Sequence, residues 1–504
     1  MDTAPEISSP LKPEANIKRI LEWLALAHGR TGAEDANQLH RQLLLLREAP
    51  VPTAQRVKLL DLLYAHVERT VNAELPQLHE VSLPISRKLR QRVKAVLEVL
   101  ETLTQDYFNT LAILFDPEGA DTPRSPHVSL RRAMHAIAWQ IRISHLIAAP
   151  TAIGRWQQLH TAFSTARRLG LEALPGTRGG PSIRRIYTNA LLTAIAQPAS
   201  FSSAELEFIN DYIERLPQEL ELGALPPSDS NAIFWIDLDK DFPAHALVRR
   251  VPAADTNVLY FSCDVIAREA SRQHAELSKG TSAAALGLPA LADTHAGQAV
   301  LLRLTTLWGN PQKRRFPRRR QSYRANLCLG LENLWQLIKT PAAPIDTSEW
   351  MVTNESPDGY ALMHMSGHTE SLRIGDIVAL HAQGERSESP PTWHVCVIRW
   401  AISENPEHVE LGLQLIASRA IAARIVQPYE LSANPIEALI LPETPPLRPL
   451  ESLVVASGIL KPNSDRIIVL VEAENFSVRE VRTTHLDEQT SSIEVFSVST
   501  DDSA

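Results

Sequence analysis

KRRFPRRRQSYRANLCLGLE, residues 313–332, is where the chain changes its period. Upstream, apolar residues recur at helical spacing. Ile17, Ile20, Leu21 and Leu24 stand at i, i+3, i+4 and i+7, and Val93, Val96, Leu97 and Leu100 repeat the pattern. Asn16 can cap the first of these helices and Gly29 can stop it. Downstream the period falls to two, with Leu327, Leu329 and Leu331 alternating with Cys328, Gly330 and Glu332. RIGDIVALHA (373–382), WHVCVIRWAI (393–402) and HVELGLQLIA (408–417) follow, each flanked by Gly, Pro, Asn or Ser. Short, evenly spaced strands with turn residues between them predict a small antiparallel barrel or sandwich. The expected fold class is multidomain α + β: a mostly helical N-terminal bundle, a small antiparallel β-barrel and a C-terminal β-rich unit.

Working outward, residues 1–15 read as a disordered tail and 16–215 as the helical domain. LPQELELGALPPSDSN (216–231) has linker composition and opens a mixed α/β segment, 216–308, attached to the helical half. Within it IFWIDL (233–238) and VLYFSC (258–263) are strand-like, DVIAREASRQHAEL (264–277) is helix-like, and a last helix is expected at about 294–308. The barrel is assigned to 309–430. Residues 431–504, with the Pro-rich break PETPPLRP (442–449) and then SLVVAS, DRIIVLVEA and SIEVFSVS, form the C-terminal β-rich extension. It ends in the acidic tail TDDSA.

A chain of 504 residues is too long for one core. Its 44% hydrophobic and 21% charged residues are ordinary for a globular protein. The net charge of −8 argues against a molecule built to lie on nucleic acid or anionic lipid, so an anion must be met by a local basic patch. Three scattered cysteines, Cys263, Cys328 and Cys396, argue for reduced thiols and against a disulfide framework or a Cys-based zinc site. The N-terminus lacks the basic and apolar regions of a signal peptide, and no apolar stretch reaches the roughly 20 residues that span a bilayer. These features predict a cytoplasmic protein without membrane insertion.

Lys313, Arg314, Arg315, Arg318, Arg319, Arg320 and Arg324 fall within twelve residues that contain no acid. Guanidinium forks match phosphate oxygens and the O6/N7 edge of guanine, and their planes stack on bases. Pro317 makes a continuous helix through the run unfavourable, so the segment reads as an extended arm entering the first barrel strand. Some thirty residues on, NESPDG (354–359) offers Asn354 and Ser356 as short polar side chains and Gly359 as permissive backbone.

In this order the two features resemble the PilZ domain family of cyclic di-GMP receptors. Arg320 and Arg324 give RxxxR, Arg319 extends it to RRxxxR, and Asn354, Ser356 and Gly359 give [Asp/Asn]-x-Ser-x-x-Gly. The resemblance continues through Gly375, Asp376, Val378 and Leu380, then Val397, Arg399 and Trp400, then Glu410, Leu411, Gly412 and Leu415. It spans about 308–426 and implies a PilZ-like β-barrel whose ligand is cyclic di-GMP. By the family's pattern Arg320 and Arg324 are the clamp arginines, Arg319 an auxiliary one, and Asn354, Ser356 and Gly359 the contacts from the turn. The implied function is a bacterial receptor that regulates a surface process (pili, motility, adhesion or exopolysaccharide) through an unidentified protein partner. Glu355 departs from the family, whose members more often carry an apolar residue there.

Other constellations carry less. Asp237, Asp239 and Asp241 alternate like the start of a calcium loop, but Phe242 and Val248 stand where Gly and a bidentate Glu are needed, leaving a solvated strand face or turn. His364 and His368, in strand context, read as structural or surface histidines. No P-loop, GxSxG, HExxH or dinucleotide fingerprint occurs, nor the motifs of enzymes that make or destroy the messenger, so neither catalysis nor a cofactor or metal is expected. Two other classes compete: a nucleic-acid-binding protein gripping phosphates with residues 313–324, and a PilZ-like scaffold that has lost its ligand. The single basic cluster and the lack of an aromatic stacking platform disfavour the first.

Overall fold

The computed structural model describes residues 13–500 apart from 27–32, 113–125, 231, 254–255, 314–315, 342–343, 368, 370–371, 384–391, 406–407, 428–433, 445–447, 461–465 and 473–475. The expected N-terminal tail (but for Pro13–Ala15), Gly29, Arg314, Arg315, His368 and all of the acidic tail but Thr500 lie outside the described residues. Among the described residues eight α-helices come first: α1 (Pro13–Leu26), α2 (Ala33–Glu48), α3 (Thr53–Glu74), α4 (Arg87–Ala112), α5 (His127–Leu146), α6 (Arg155–Arg168), α7 (Ile183–Ile195) and α8 (Ser203–Arg215). Helix α5 is the axis, packed by α3, α4, α6, α7 and α8. Its apolar residues, among them Leu130, Met134, Ile137, Trp139 and Ile141, are nearly all buried. Ser202 caps α8 with a reciprocal bond to Glu205, which satisfies two of the helix's orphan donors.

Three strands, β1 (Ile233–Asp237), β2 (His245–Ala246) and β3 (Val258–Ser262), form an antiparallel sheet in the order β2-β1-β3. Helices α9 (Asp264–Ser278) and α10 (His295–Gly309) complete this segment, whose buried residues share one cluster with the bundle. The aspartates of DLDKDF have a local use. Asp241 accepts from the backbone N–H groups of Gly154 (2.5 Å) and Gln157 (3.1 Å), so its carboxylate caps the N-terminus of α6. Asp237 turns back onto the amide of Asp239, at 3.1 Å.

The first barrel is built from β4 (Arg319–Leu329), β5 (Ser348–Ser356), β6 (Gly359–Ser366), β7 (Ile377–Ala382), β8 (His394–Asn405) and β9 (His408–Ala417). It closes antiparallel in the order β4-β5-β6-β9-β8-β7. Its inward residues, including Leu327, Trp350, Val352, Leu362, Leu380 and Leu411, belong to the same apolar cluster as the helical half. Bundle and barrel thus share one continuous core.

Leu331 does not continue the alternation of β4. Gly330 takes φ +87°, and a helix, α11 (Leu331–Lys339), runs on from it. Leu331, Leu334, Trp335 and Ile338 are spaced as one helical face, and that face packs between the two barrels. The Trp335 indole donates to the carbonyl of Ala423 at 2.7 Å, and Lys339 and Arg424 sit over its ring.

The C-terminal strands are β10 (Ile421–Val426), β11 (Ile436–Leu441), β12 (Ser452–Ala456), β13 (Arg466–Glu472), β14 (Phe476–Gln489) and β15 (Ile493–Thr500). They close a second antiparallel barrel, β10-β11-β12-β15-β14-β13. Both β10 and β11 precede the Pro-rich stretch, and they pair across residue 430, so that position falls between two strands of one barrel. Its outward Leu439, Leu441, Val454, Ile493 and Val495 meet α11 and the outward Ala379, Val395 and Val397 of the first barrel.

Candidate ligand-binding site

The arm expected before the barrel is partly strand, because β4 already begins at Arg319. Arg319 stands opposite Glu355 and Arg320 opposite Asn354, so the basic run and the polar turn are neighbours across one strand pair. An irregularity between Arg320 and Tyr323 then shifts the register, placing Arg324 opposite Met351. The β5–β6 ladder is shifted at the same level, between Val352 and Asn354, so both strands are irregular where the arginines meet the turn. Arg324 pairs with Glu349 at 3.1 Å on the exposed surface. Arg319 and Arg320 are exposed and, among the described residues, hold no hydrogen bond or ion pair.

The turn itself is tightly specified. Ser356 pairs with Gly359 across a two-residue loop, and its hydroxyl lies 2.6 Å from Asp358 Oδ1 and 3.2 Å from the Gly359 carbonyl oxygen. The Asp358 carbonyl in turn accepts from Leu415 N–H at 2.9 Å. A Cβ on Gly359 would collide with the Leu413 carbonyl of β9, so only glycine fits. Gly412 is required in the same sense, because the Trp400 indole lies directly across it.

These residues surround a cavity of about 290 Å³ at the end of the barrel. Asn354, Ser356, Gly359 and Tyr360 line it from β5, β6 and their turn, Arg399, Trp400 and Gln414 from β8 and β9, and Phe316 and Arg318 from the arm. Arg319, Arg320 and Arg324 are not among its lining residues. Among the cavity residues to which the motif spacing gave no site role are Arg318, Arg399 and Trp400. Trp400 and Arg399 lay within the quoted β8 pattern, whereas nothing in the spacing singled out Arg318 among its neighbours. Tyr323 donates to Glu355 at 3.2 Å, which gives the departing acid a partner of its own. Arg399 donates through Nε to Gln414 (2.6 Å) and through both terminal nitrogens to Glu488 of the second barrel (2.9 and 2.5 Å).

Asp376 and Gly375 lie away from the cavity, at the seat of the second barrel. The Gly375 carbonyl accepts from the hydroxyls of Thr490 and Ser492, both at 2.8 Å. Burial raises the Asp376 carboxyl to about 6, against hydrogen bonds from Arg373 N–H and Ser492 that lower it. Among the described residues no group of three or more His, Cys, Asp or Glu side chains could hold a metal ion. None of the described helices is long and apolar enough to cross a membrane.

Chemically, the site offers guanidinium groups, hydroxyl and amide side chains, and an indole plane at one barrel end. That set suits an anion carrying flat heterocycles. Two family models match the chain, one described as the N-terminal domain of cyclic-di-GMP receptor FimW (residues 18–228) and one as its middle PilZ domain (residues 336–421). The second match includes the turn, Arg399 and Trp400 but begins after Arg324. The curated cyclic-di-GMP receptor FimW of Pseudomonas aeruginosa is 20% identical, with 85% of this chain and 82% of that protein aligned. A solved structure of the inhibitor of motility MotI/DgrA from Bacillus subtilis overlaps 35% of this chain and 87% of its own, at 10% identity and a TM-score of 0.12, too low to carry an argument. With helical half and barrel both matched, the chain belongs to the family of PilZ-domain cyclic-di-GMP receptors.

Proposed function

We propose that this chain binds cyclic di-GMP at the open end of the first barrel and passes the bound state to a protein partner. The observation that carries the reading is the register of β4 on β5, which sets Arg319 and Arg320 beside the Asn354–Gly359 turn. In this reading Arg320 is the principal grip on phosphate and guanine, Arg319 and Arg318 assist, and Asn354, Ser356 and Gly359 shape the opposite side. Arg324 joins by exchanging Glu349 for the ligand. That surface pair is worth no more than about 1 kcal/mol, so the exchange costs little. The chain acts as a receptor rather than an enzyme, in the cytoplasm, with 16–308 as helical half, the first barrel as sensor and the second barrel as an extension. The output is a bacterial surface process such as pilus function, motility or adhesion.

Calorimetric titration of cyclic di-GMP into the full chain tests this, beside Arg320→Ala, Ser356→Ala and GTP as a control. Saturable binding, weakened at least tenfold by Arg320→Ala and absent with GTP, is the expected result. No saturable heat with cyclic di-GMP would leave the barrel as an interaction scaffold. Steeply salt-dependent binding of long oligonucleotides instead would favour a nucleic-acid grip.

A further inference from the structure

Arg399 answers to two places at once. Its side chain lines the cavity together with Asn354, Ser356 and Gly359, and its guanidinium also forms a two-pronged ion pair with Glu488 on β14. Both partners are about one-quarter exposed, at 28% and 27%, so the pair is partly withdrawn from water and stronger than a surface pair. Glu488 belongs to a different barrel and supplies the only carboxylate that Arg399 holds among the described residues.

The surroundings separate a fixed contact from a labile one. Next to Glu488, Thr490 and Ser492 anchor the β14–β15 hairpin on the Gly375 carbonyl, and Ile493 and Val495 begin the apolar seam with the first barrel. Those contacts do not involve the cavity. The Glu488 contact does, through Arg399. Nearby lies Arg303 of α10, partly exposed and 4.0 Å from the Glu205 carboxylate, donating to the Ser200 carbonyl at 2.6 Å and lying 3.8 Å from the Phe201 ring. Its charge is repelled by Arg399 and attracted by Glu488. If Arg399 turns into the cavity, Glu488 still faces a cation, so it is not left as an uncompensated buried charge.

We propose that Glu488 is a built-in competitor for the anionic ligand: a ligand phosphate takes Arg399 from it, and the freed segment of β14 carries the bound state to the second barrel. This rests on the reading of the cavity as the cyclic di-GMP site. Two consequences follow from the same exchange. The carboxylate lowers affinity, because binding must break its pair first. Ligand occupancy loosens β14 near Glu488 while the anchors at Thr490 and Ser492 hold.

The test is titration of cyclic di-GMP into the full wild-type chain and into Glu488→Gln and Glu488→Ala, with amide hydrogen exchange across 483–489 followed in each. Both substitutions are expected to tighten binding three- to tenfold. Ligand should speed exchange in that segment of the wild type and leave it unchanged in the variants. Wild-type binding with unaltered or weaker affinity in both variants would overturn the competitor and leave the cyclic di-GMP reading intact. So would unchanged exchange in the wild type. Absence of binding to the wild type would remove both.

Discussion

Gly359 closes the β5–β6 turn against the Leu413 carbonyl, leaving no room for a methyl group. Gly359→Ala must push β6 from β9 at the rim where Asn354 and Ser356 sit. We expect it to lower ligand affinity at least tenfold by calorimetry while far-UV circular dichroism stays near wild type; wild-type affinity would show that the turn is not part of the site. At this scale the sequence was informative about the turn and less so about the arginines. The four-residue spacing of Arg320 and Arg324 reads as one plain strand, but the ladder is shifted between Arg320 and Tyr323 and again between Val352 and Asn354. Local spacing cannot announce such a shift, because it depends on which β5 residues are chosen as partners. Arg399 could be read within its strand pattern, whereas its partner Glu488 lies 89 residues away in another barrel, with no signal linking them.

Helix α11 is the element that an alternating pattern concealed. Leu327, Leu329 and Leu331 fit a strand, and only the extended positive-φ geometry open to glycine, φ +87° and ψ 148° at Gly330, lets the chain stop and turn helical. The spacing of Leu331, Leu334, Trp335 and Ile338 was present in the sequence, but nine residues are short for a periodicity argument. Trp335 joins α11 to β10 by both packing and its indole bond to Ala423. Trp335→Ala should cost about 3–5 kcal/mol at that seam. Limited proteolysis should then cut the second barrel well before the helical half. Equal cutting of both would mean that the seam does not depend on the wedge. Strands β1 and β3 and helices α9 and α10, by contrast, were legible because each carries its own period, whereas the two-residue β2 is too short to show one.

Across the whole molecule, two histidines of α5 weaken the fold in acid. Burial, helped by the Arg131 and Arg142 charges, lowers His135 to about 3, and burial lowers His145 to about 4. Below the unfolded value near 6.5 the unfolded chain takes up protons that the folded chain refuses. Stability present above that pH is therefore lost as pH falls, by about 2 kcal/mol per histidine at pH 5. Asp376, raised by burial to about 6, works in the opposite sense and offsets roughly one of them. The thermal midpoint should thus fall by a few degrees between pH 7 and pH 5, and His145→Gln should flatten that slope. A midpoint that rises on acidification would contradict the neutral, buried state of these rings. The division into helical and β halves followed from the change of period, but the core they share could not, since no pattern tells which apolar faces meet across 200 residues of chain.

Both barrels are closed, and among the described residues the remaining sheet has for its edges a two-residue strand, β2, and a strand, β3, bridged by Gly223. Among the described residues, stretches with a neighbour on one side only remain at the ends of barrel strands, Arg319–Tyr323 of β4 and Phe476–Glu480 of β14 among them. A protein that docks on this receptor away from those stretches must recognise side chains rather than extend a sheet. Its identity is then written in surface residues, which substitution can rewrite one at a time while the fold stays as it is.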